Sequence, residues 1–449
     1  MNHPPSLESF FSLTPDRVIA AAESAGVPCT GLCYPLNSLE NRVYELERDD
    51  RTRVVAKFYR PGRWSAEAVQ DEHRFLVDLV AADIPVAPAL PLPGGVTVAA
   101  APDTGILYAL FPRVGGRAPD ELTDDQLRRI GRLLARVHAV GAAGAAPHRR
   151  VLDARAWGEE SLAVLRTSPT LPPTLGAALD AVTRRLLDRV APDFEGVARH
   201  RIHGDCHLGN LLWGPAGAFF LDFDDMMVGP AVQDVWLLAP GRDAEGLRQR
   251  DTLLEGYAEL RPFDRSTLRL VEPLRALRYL HYAAWITRRW ADPAFPRAFP
   301  QYGSAQYWAE LVADLEEQLQ RAGGTTTQHT GAGLDDDDVD APAAAPAGPA
   351  VTVRAVPYGG EDFVRVLMVR DEVFVEELGH DPEAEMDGRD GAAVHLLARD
   401  ASGRTMGAVR VWRDADGVAW VSHLAVLYDA RRKGVGTALV QAAMDVAAG

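Results

Sequence analysis

His203-Gly-Asp-Cys-His-Leu-Gly-Asn210 and Phe219-Phe-Leu-Asp-Phe-Asp-Asp225 stand at the two ends of one short segment. Between them lie an apolar run (Leu211-Leu212-Trp213), a Gly/Pro turn (Gly214-Pro215-Ala-Gly217) and a second apolar run from Ala218 to Leu221. The pattern reads as loop, strand, turn and strand, a β-hairpin with acidic groups projecting from both ends. It gathers Asp205, Asn210 and Asp222. Phosphoryl transfer needs that set: a carboxylate to accept the proton of the attacking hydroxyl, and an Asn five residues on with a second Asp to hold the Mg2+ that bridges the phosphates. On this reading Asp205 is the catalytic base, and Asn210 and Asp222 are the metal ligands. Two rival readings are weaker. A solvated acidic hairpin does not explain why several residue types agree at fixed offsets. His203, Asp205, Cys206 and His207 as zinc ligands fit neither of the usual spacings, and no second pair lies at a suitable distance.

Composition narrows the partners. The 449 residues suffice for two or three domains. A formal charge of −16 argues against nucleic acid or an anionic membrane as the main partner. Cys29, Cys33 and Cys206 do not suggest a disulfide framework, and Thr30-Gly-Leu32 between the first two argues for a loop carrying buried free thiols. No leader peptide and no run long enough to span a bilayer is evident, so a cytoplasmic monomer is expected. The basic residues are almost all arginine, and lysine occurs only at Lys57 and Lys433.

Residues 14–24 read as a helix with Thr14 as N-cap and Pro15 at its first position. Strands are expected around 31–35, 41–48 and 52–59, the last two joined by Asp49-Asp50-Arg51. Lys57 falls in Val54-Val-Ala-Lys-Phe-Tyr59, where a lysine is costly without an anionic partner. An edge-strand lysine reaching solvent is the bland alternative. A helix from Ser65 to Ala81 follows, carrying Glu72 beside Asp71. A strand lysine followed by a helix glutamate is the arrangement in which the glutamate orients the lysine at the α and β phosphates of ATP. The loop that should cover the phosphates, Pro35-Leu-Asn-Ser-Leu-Glu-Asn41, lacks Gly-x-Gly-x-x-Gly, so Asn37, Ser38 and Asn41 are assigned to ATP by position alone.

Residues 84–115 read as strands separated by proline, ending in an apolar strand from Ile106 into Gly115-Gly116, where backbone groups would read the adenine edge. Helices are expected from Thr123, around 153–166, 175–190, 245–260, 266–291 and 303–321. Asp234 opens a helix just after the acidic segment and would hold the catalytic loop backbone. His281, Tyr282 and Trp285 could line a substrate cleft, but an aromatic stripe at helical spacing is more often core. Residues 323–350, with Asp335-Asp-Asp-Asp338 and Ala/Pro repeats, read as a disordered linker. Beyond it a second pattern begins: strand 351–356, helix 361–378, strands 393–399, 405–413 and 418–426, then Arg431-Arg-Lys-Gly-Val-Gly436 opening a helix, a turn that offers backbone N–H groups to a phosphate.

Taken together, Leu36-Asn-Ser-Leu-Glu-Asn-Arg-Val-Tyr44, Val55-Ala-Lys-Phe-Tyr-Arg-Pro-Gly-Arg-Trp-Ser65, His203-Gly-Asp-Cys-His207 and Gly229-Pro-Ala-Val-Gln-Asp234 resemble the stress response kinase A family. These are bacterial serine/threonine protein kinases in the aminoglycoside phosphotransferase-like (APH-like) branch of the protein-kinase-like fold. The resemblance spans roughly residues 5–322 and implies Asp205 as base, Asn210 and Asp222 as Mg2+ ligands and Lys57 at the ATP phosphates, with protein serine or threonine as acceptor. A small-molecule kinase acting on an amino alcohol, an aminoglycoside-like compound or a sugar is the alternative, and an acidic pocket recruiting a cation would favour it. The second part looks like a GNAT N-acetyltransferase. Arg431, Gly434 and Gly436 match its acetyl-CoA pyrophosphate motif, and the domain is expected to be C-terminally incomplete. The fold class is then α+β: a bilobal protein-kinase-like fold over 1–322 (small lobe about 1–112, large lobe about 113–322), followed by a partial α/β GNAT-like domain over 351–449.

Overall fold

The computed structural model describes residues 6–36, 38–119, 121–214, 217–323, 351–358, 361–370, 372–374, 389–400, 404–414, 418–427, 430–431 and 433–448. The linker expected over 323–350 lies outside them apart from Gly323, as do Asn37 and residues 371 and 375–378 of the expected helix. The chain divides into two compact units, within 1–330 and within 331–449.

In the first unit, helix Pro15–Ser24 leads into a five-stranded antiparallel sheet. Its order is Cys29–Leu36, Arg42–Arg48, Arg53–Phe58, Leu107–Pro112, Ala99–Ala100. Lys57 pairs with Val43 on one side and Ala109 on the other, so it stands on an interior strand and not at an edge. Residues 84–115 hold fewer strands than expected, because Pro85, Pro88, Pro91 and Pro93 supply no ladder N–H. Cys29 and Cys33 lie on a strand and not in a loop. A register shift separates them, and both are free and only partly buried.

Helix Ala66–Ala81 is capped by the Ser65 hydroxyl and turns Asp71, Glu72, Phe75, Leu76 and Leu79 inward. Phe75, Leu76 and Leu79 join a core with Ile130, Leu134, Leu211, Phe220, Phe223, Leu253 and Tyr257, so the helix belongs to the packing of both lobes. Helix Asp124–Ala142 opens on a capping box between Thr123 and Gln126. The helices Ala154–Leu165, Pro173–Val190, Val232–Leu238, Ala244–Ala258, Val271–Arg289 and Ala305–Gly323 complete the larger lobe.

The second unit has a four-stranded antiparallel sheet, Thr352–Val356, Val394–Arg399, Thr405–Arg413, Ala419–Val426, with helices Glu361–Arg370 and Val435–Ala448. Its apolar core holds a buried ionic group, in which Arg370 and Arg410 each place Nη1 2.8 Å from Asp390 Oδ1. Among the described residues of the chain, no helix is long and apolar enough to cross a membrane.

Candidate active site

The decisive hairpin forms as the sequence implies, with Leu211–Gly214 antiparallel to Gly217–Phe220 and Leu211 opposite Phe220. Loop 203–210 precedes it and carries the chemistry. Gly204 has φ +87°, and a Cβ there would stand 2.2 Å from the Asp225 carbonyl oxygen, so only glycine fits between His and Asp. Asp234 holds the loop from below. Its Oδ2 accepts the His203 N–H at 2.8 Å and its Oδ1 the Gly204 N–H at 2.9 Å. His138 Nε2 lies 3.1 Å from the same carboxylate, and Gln233 donates to the Gly204 carbonyl at 3.0 Å. The role expected for Asp234 is thus the one it plays.

Asp205 projects from this loop. Arg278 Nη1 lies 2.9 Å from its Oδ1 and His207 Nε2 3.3 Å from its Oδ2. Burial works against its charge, but the His207 hydrogen bond and the Arg278 charge outweigh that and hold it below the usual carboxylate range. Asn210 donates its amide N–H to the Asp205 carbonyl at 2.9 Å, which leaves the amide oxygen to meet a cation. Asp222 adopts a left-handed backbone (φ 54°), a conformation Asp tolerates better than most residues, and its side chain is half exposed.

Lys57 Nζ lies 2.8 Å from Asp222 Oδ1 and 3.5 Å from Asp224 Oδ1. Burial opposes its charge, yet the two aspartates outweigh that and raise it above the usual lysine range. Asp224 is buried. It receives Asn41 Nδ2 at 3.0 Å and an Arg63 guanidinium, and Arg149 donates to its carbonyl at 2.7 Å.

Of these residues Asn41, Lys57, Asn210 and Asp222 line a cavity of about 400 Å³. Leu36, Val43 and Val55 form one wall and Leu212 and Phe220 the other, with the backbone from Phe111 to Val114 along one edge. Ser38, Asn41, Lys57, Glu72, Asn210 and Asp222 make its polar end. An apolar slot closing on a few convergent polar groups suits a small charged ligand. Among the described residues no cluster of three or more His, Cys, Asp or Glu side chains makes a ready metal cage. A phosphate-bound Mg2+ does not require one, since it takes one or two protein oxygens and completes its shell with phosphate and water. The half-exposed Asp222 carboxylate and the Asn210 amide oxygen fit that demand.

Two of the residues assigned to ATP have other partners in this structure. Glu72 lines the cavity, but its ion pair is with Arg149 at 2.7 Å, and the acids within 4 Å of Lys57 are Asp222 and Asp224. Asn41 also lines it, but its side chain is committed, its amide donating to Asp224 and its oxygen accepting the Arg60 N–H at 3.2 Å. Trp285 packs against the core, as expected, yet it and His281 also border a second cavity of about 580 Å³ that shares Asp225 with the catalytic segment. Arg63, His138, Arg149, Asp224 and Arg278 were not singled out in the sequence. Arg63 carried a signal through the Lys57-Phe-Tyr-Arg-Pro-Gly-Arg63 stretch and Asp224 through Asp222-Phe-Asp-Asp225, whereas a lone arginine means little in a chain whose basic residues are nearly all arginine. In the second unit Arg431 and Gly434 lie between strand Ala419–Val426 and helix Val435–Ala448 and Gly436 in the first turn of that helix, with Gly434 at φ +81° and Arg431 Nε 2.9 Å from the Val426 carbonyl.

Fold and site together define a phosphotransferase of bilobal, kinase-like architecture. Residues 34–271 match the phosphotransferase enzyme family (APH), to which the chain therefore belongs, and residues 363–449 match the acetyltransferase (GNAT) family, a domain at the C-terminal side. Stress response kinase A of Escherichia coli K12 is 39% identical over 311 residues, covering 69% of this chain and 94% of that protein. The serine/threonine protein kinase RdoA of Salmonella typhimurium LT2 is likewise 39% identical over the same shares of the two chains. Amicoumacin kinase, solved with AMP-PNP and Ca2+, superposes with a TM-score of 0.55 at 20% identity over 67% of this chain and 92% of its own, a likeness of fold.

Proposed function

We propose that the first unit transfers the γ-phosphoryl group of Mg2+-bound ATP to a serine or threonine hydroxyl of a protein substrate, in the cytoplasm, where ATP is supplied. The observation that carries this reading is the convergence of Asn210, Asp222 and Lys57 on one cavity with an apolar slot behind it, with Asp205 on the loop that the Asn210 amide ties to it. In this mechanism the adenine enters between Leu36, Val43 and Val55 and Leu212 and Phe220, its edge read by backbone near Pro112 and Val114. Lys57 exchanges its aspartate partners for the α and β phosphates. Asn210 and Asp222 would hold Mg2+, which neutralises charge developing on the phosphate oxygens. Asp205 accepts the proton of the attacking hydroxyl as its oxygen bonds to phosphorus and the bridging oxygen leaves with ADP. His207 and Arg278 orient that carboxylate. Proton acceptance contributes about 10²–10⁴-fold, and positioning and charge neutralisation supply most of the rest.

A protein acceptor is favoured by the relatives named stress response kinase A and serine/threonine protein kinase, which this chain matches over 94% of their length. The test is transfer of labelled γ-phosphate to a protein acceptor and, separately, to a metabolite pool, with Asp205→Ala as control. Label on serine or threonine, lost in the variant, is the expected result. Equal turnover by both proteins would sink the catalytic assignment, and label on metabolites alone would replace the acceptor class.

For the second unit the same proposal extends to acetyl-CoA, with Arg431 and the turn at Gly434 and Gly436 at its pyrophosphate. Acetyl-CoA titrated calorimetrically into the intact chain should bind, and more weakly in Arg431→Ala. No heat of binding would dismiss it.

A further inference from the structure

One face of helix Val271–Arg289 is only partly covered by the core, with Trp285 packed against Phe295 and Phe299. Arg278, His281, Trp285 and Arg288 follow one another at three- and four-residue steps and so share that face. Arg278 meets the catalytic Asp205 at one end. At the other, Arg288 Nη2 lies 2.8 Å and Arg150 Nη1 3.0 Å from the two oxygens of a single carboxylate, Glu160.

The remaining acids around this groove are matched by arginines except Asp153, whose carboxylate caps helix Ala154–Leu165 by accepting the Ala156 N–H at 2.8 Å. Asp225 is paired with Arg63, Asp292 with Arg60 at 2.8 Å, and Glu40 with Arg289 at 2.7 Å. Two guanidinium groups on one carboxylate therefore leave a net positive charge at the Glu160 end. Arg150 keeps 49% of its side-chain surface exposed and Arg288 28%, so that charge is open to a ligand. His281, which accepts the Trp157 indole N–H at 2.7 Å, does not alter the balance. Burial, with Arg288, Arg150, Arg278 and Arg289 nearby, pushes it down to about 3 and keeps it neutral.

Helix geometry sets a ruler along the groove. Ten residues separate Arg278 from Arg288, roughly 15 Å at about 1.5 Å per residue. An extended peptide covers that span in about four or five residues at about 3.3 Å each. We propose that this groove seats the acceptor polypeptide and that Arg150 and Arg288 select an acidic side chain about four or five residues from the phosphorylated serine or threonine. The inference rests on the protein-kinase reading above and adds the substrate class. An amine acceptor would meet like charge here.

The intact chain with Mg-ATP, offered a peptide library with a fixed serine or threonine and varied flanks, tests it. Asp or Glu should be selected at one flanking position at about that distance, by about three- to fivefold in kcat/KM over Gln, as suits exposed ion pairs. Glu160→Gln removes the competing carboxylate from the surface and should raise that ratio. Arg288→Glu should invert it in favour of Lys. A flat profile with peptides labelled, or an acidic preference that Arg288→Glu leaves unchanged, overturns the role of the groove alone. Label on no peptide but on metabolites overturns the protein-kinase reading and this inference with it.

Discussion

Glu72 Oε2 lies 2.7 Å from Arg149 Nη2, and both side chains are buried. The other arm of that guanidinium donates to the Asp224 carbonyl at 2.7 Å. Glu72 therefore reaches the acidic segment through an arginine of the larger lobe, while Lys57 is neutralised by the acidic segment itself. Helix Ala66–Ala81 is thereby tied across the lobes by charge as well as by its apolar face.

Arg149→Met should destabilise the first unit by about 3–5 kcal/mol, because it strands a buried carboxylate. The stranded Glu72 then has a folded pKa further above its unfolded value, so the folded state holds a proton that the unfolded state releases. Stability of the variant should fall more steeply than that of the wild type as pH rises above about 5. Urea unfolding at several pH values measures this, and Arg149→Met with Glu72→Leu should recover most of the loss. A double variant no better than the single one would mean that the pair acts through something other than charge.

Asp234→Asn tests the support beneath the catalytic loop. Asp234 accepts two backbone N–H groups on two oxygens, and an asparagine has one oxygen to offer. One buried N–H then faces an NH2, a cost of about 1–3 kcal/mol. The loop carries Asp205 but not Lys57 or the apolar slot. Steady-state kinetics should show kcat lower by roughly ten- to a hundredfold with little change in KM for ATP. A rise confined to KM would contradict the positioning role.

What could be read in advance follows a physical divide. Elements with strong period and clear caps were legible: Ser65 and Thr123 start their helices where expected, and the strands around Lys57 end within two residues of their expected bounds. Asp205, Asn210 and Asp222 were legible because their chemistry needs fixed offsets along one segment. Partners chosen in three dimensions were not. Glu72 takes Arg149, 77 residues away, and Asn41 takes Asp224, 183 residues away, and neither choice leaves a mark in local spacing. His281 and Trp285 could not be decided for a similar reason. An aromatic stripe at helical spacing looks the same whether the fold covers it or leaves it along a groove.

His73 makes the first unit sensitive to acid. It is 2% exposed, with Tyr59 Oη 3.1 Å from Nε2 and Thr97 Oγ1 2.8 Å from Nδ1. Burial first, then Lys57 and Arg149, pushes its pKa down to about 3. The folded state keeps the ring neutral while the unfolded chain protonates it near 6.5, so stability is full above about 6.5 and declines as pH falls toward about 3, by about 1.4 kcal/mol per unit. Unfolding free energies at pH 7 and pH 5 should differ less in His73→Gln, which carries no such proton. Equal slopes in the two proteins would place the titrating group elsewhere.

In the second unit Asp390 bears the corresponding burden. Its Oδ1 receives Nη1 of both Arg370 and Arg410 at 2.8 Å, and hydrogen bonds and charge from these arginines outweigh burial and hold it below the usual carboxylate range. Asp390→Asn keeps the shape and removes the charge, weakening two charge-assisted bonds that contribute about 1.5–3 kcal/mol each. A loss of about 3 kcal/mol is expected, since asparagine retains part of each bond. Hydrogen exchange can assign that loss to its place. Amides of strand Thr405–Arg413, which carries Arg410, and of its neighbour Val394–Arg399 should lose protection, while those of helix Asp124–Ala142 in the first unit keep theirs. Uniform loss across both units would show that Asp390 stabilises more than the sheet it sits in, and no loss would show that the two arginines are held by other partners.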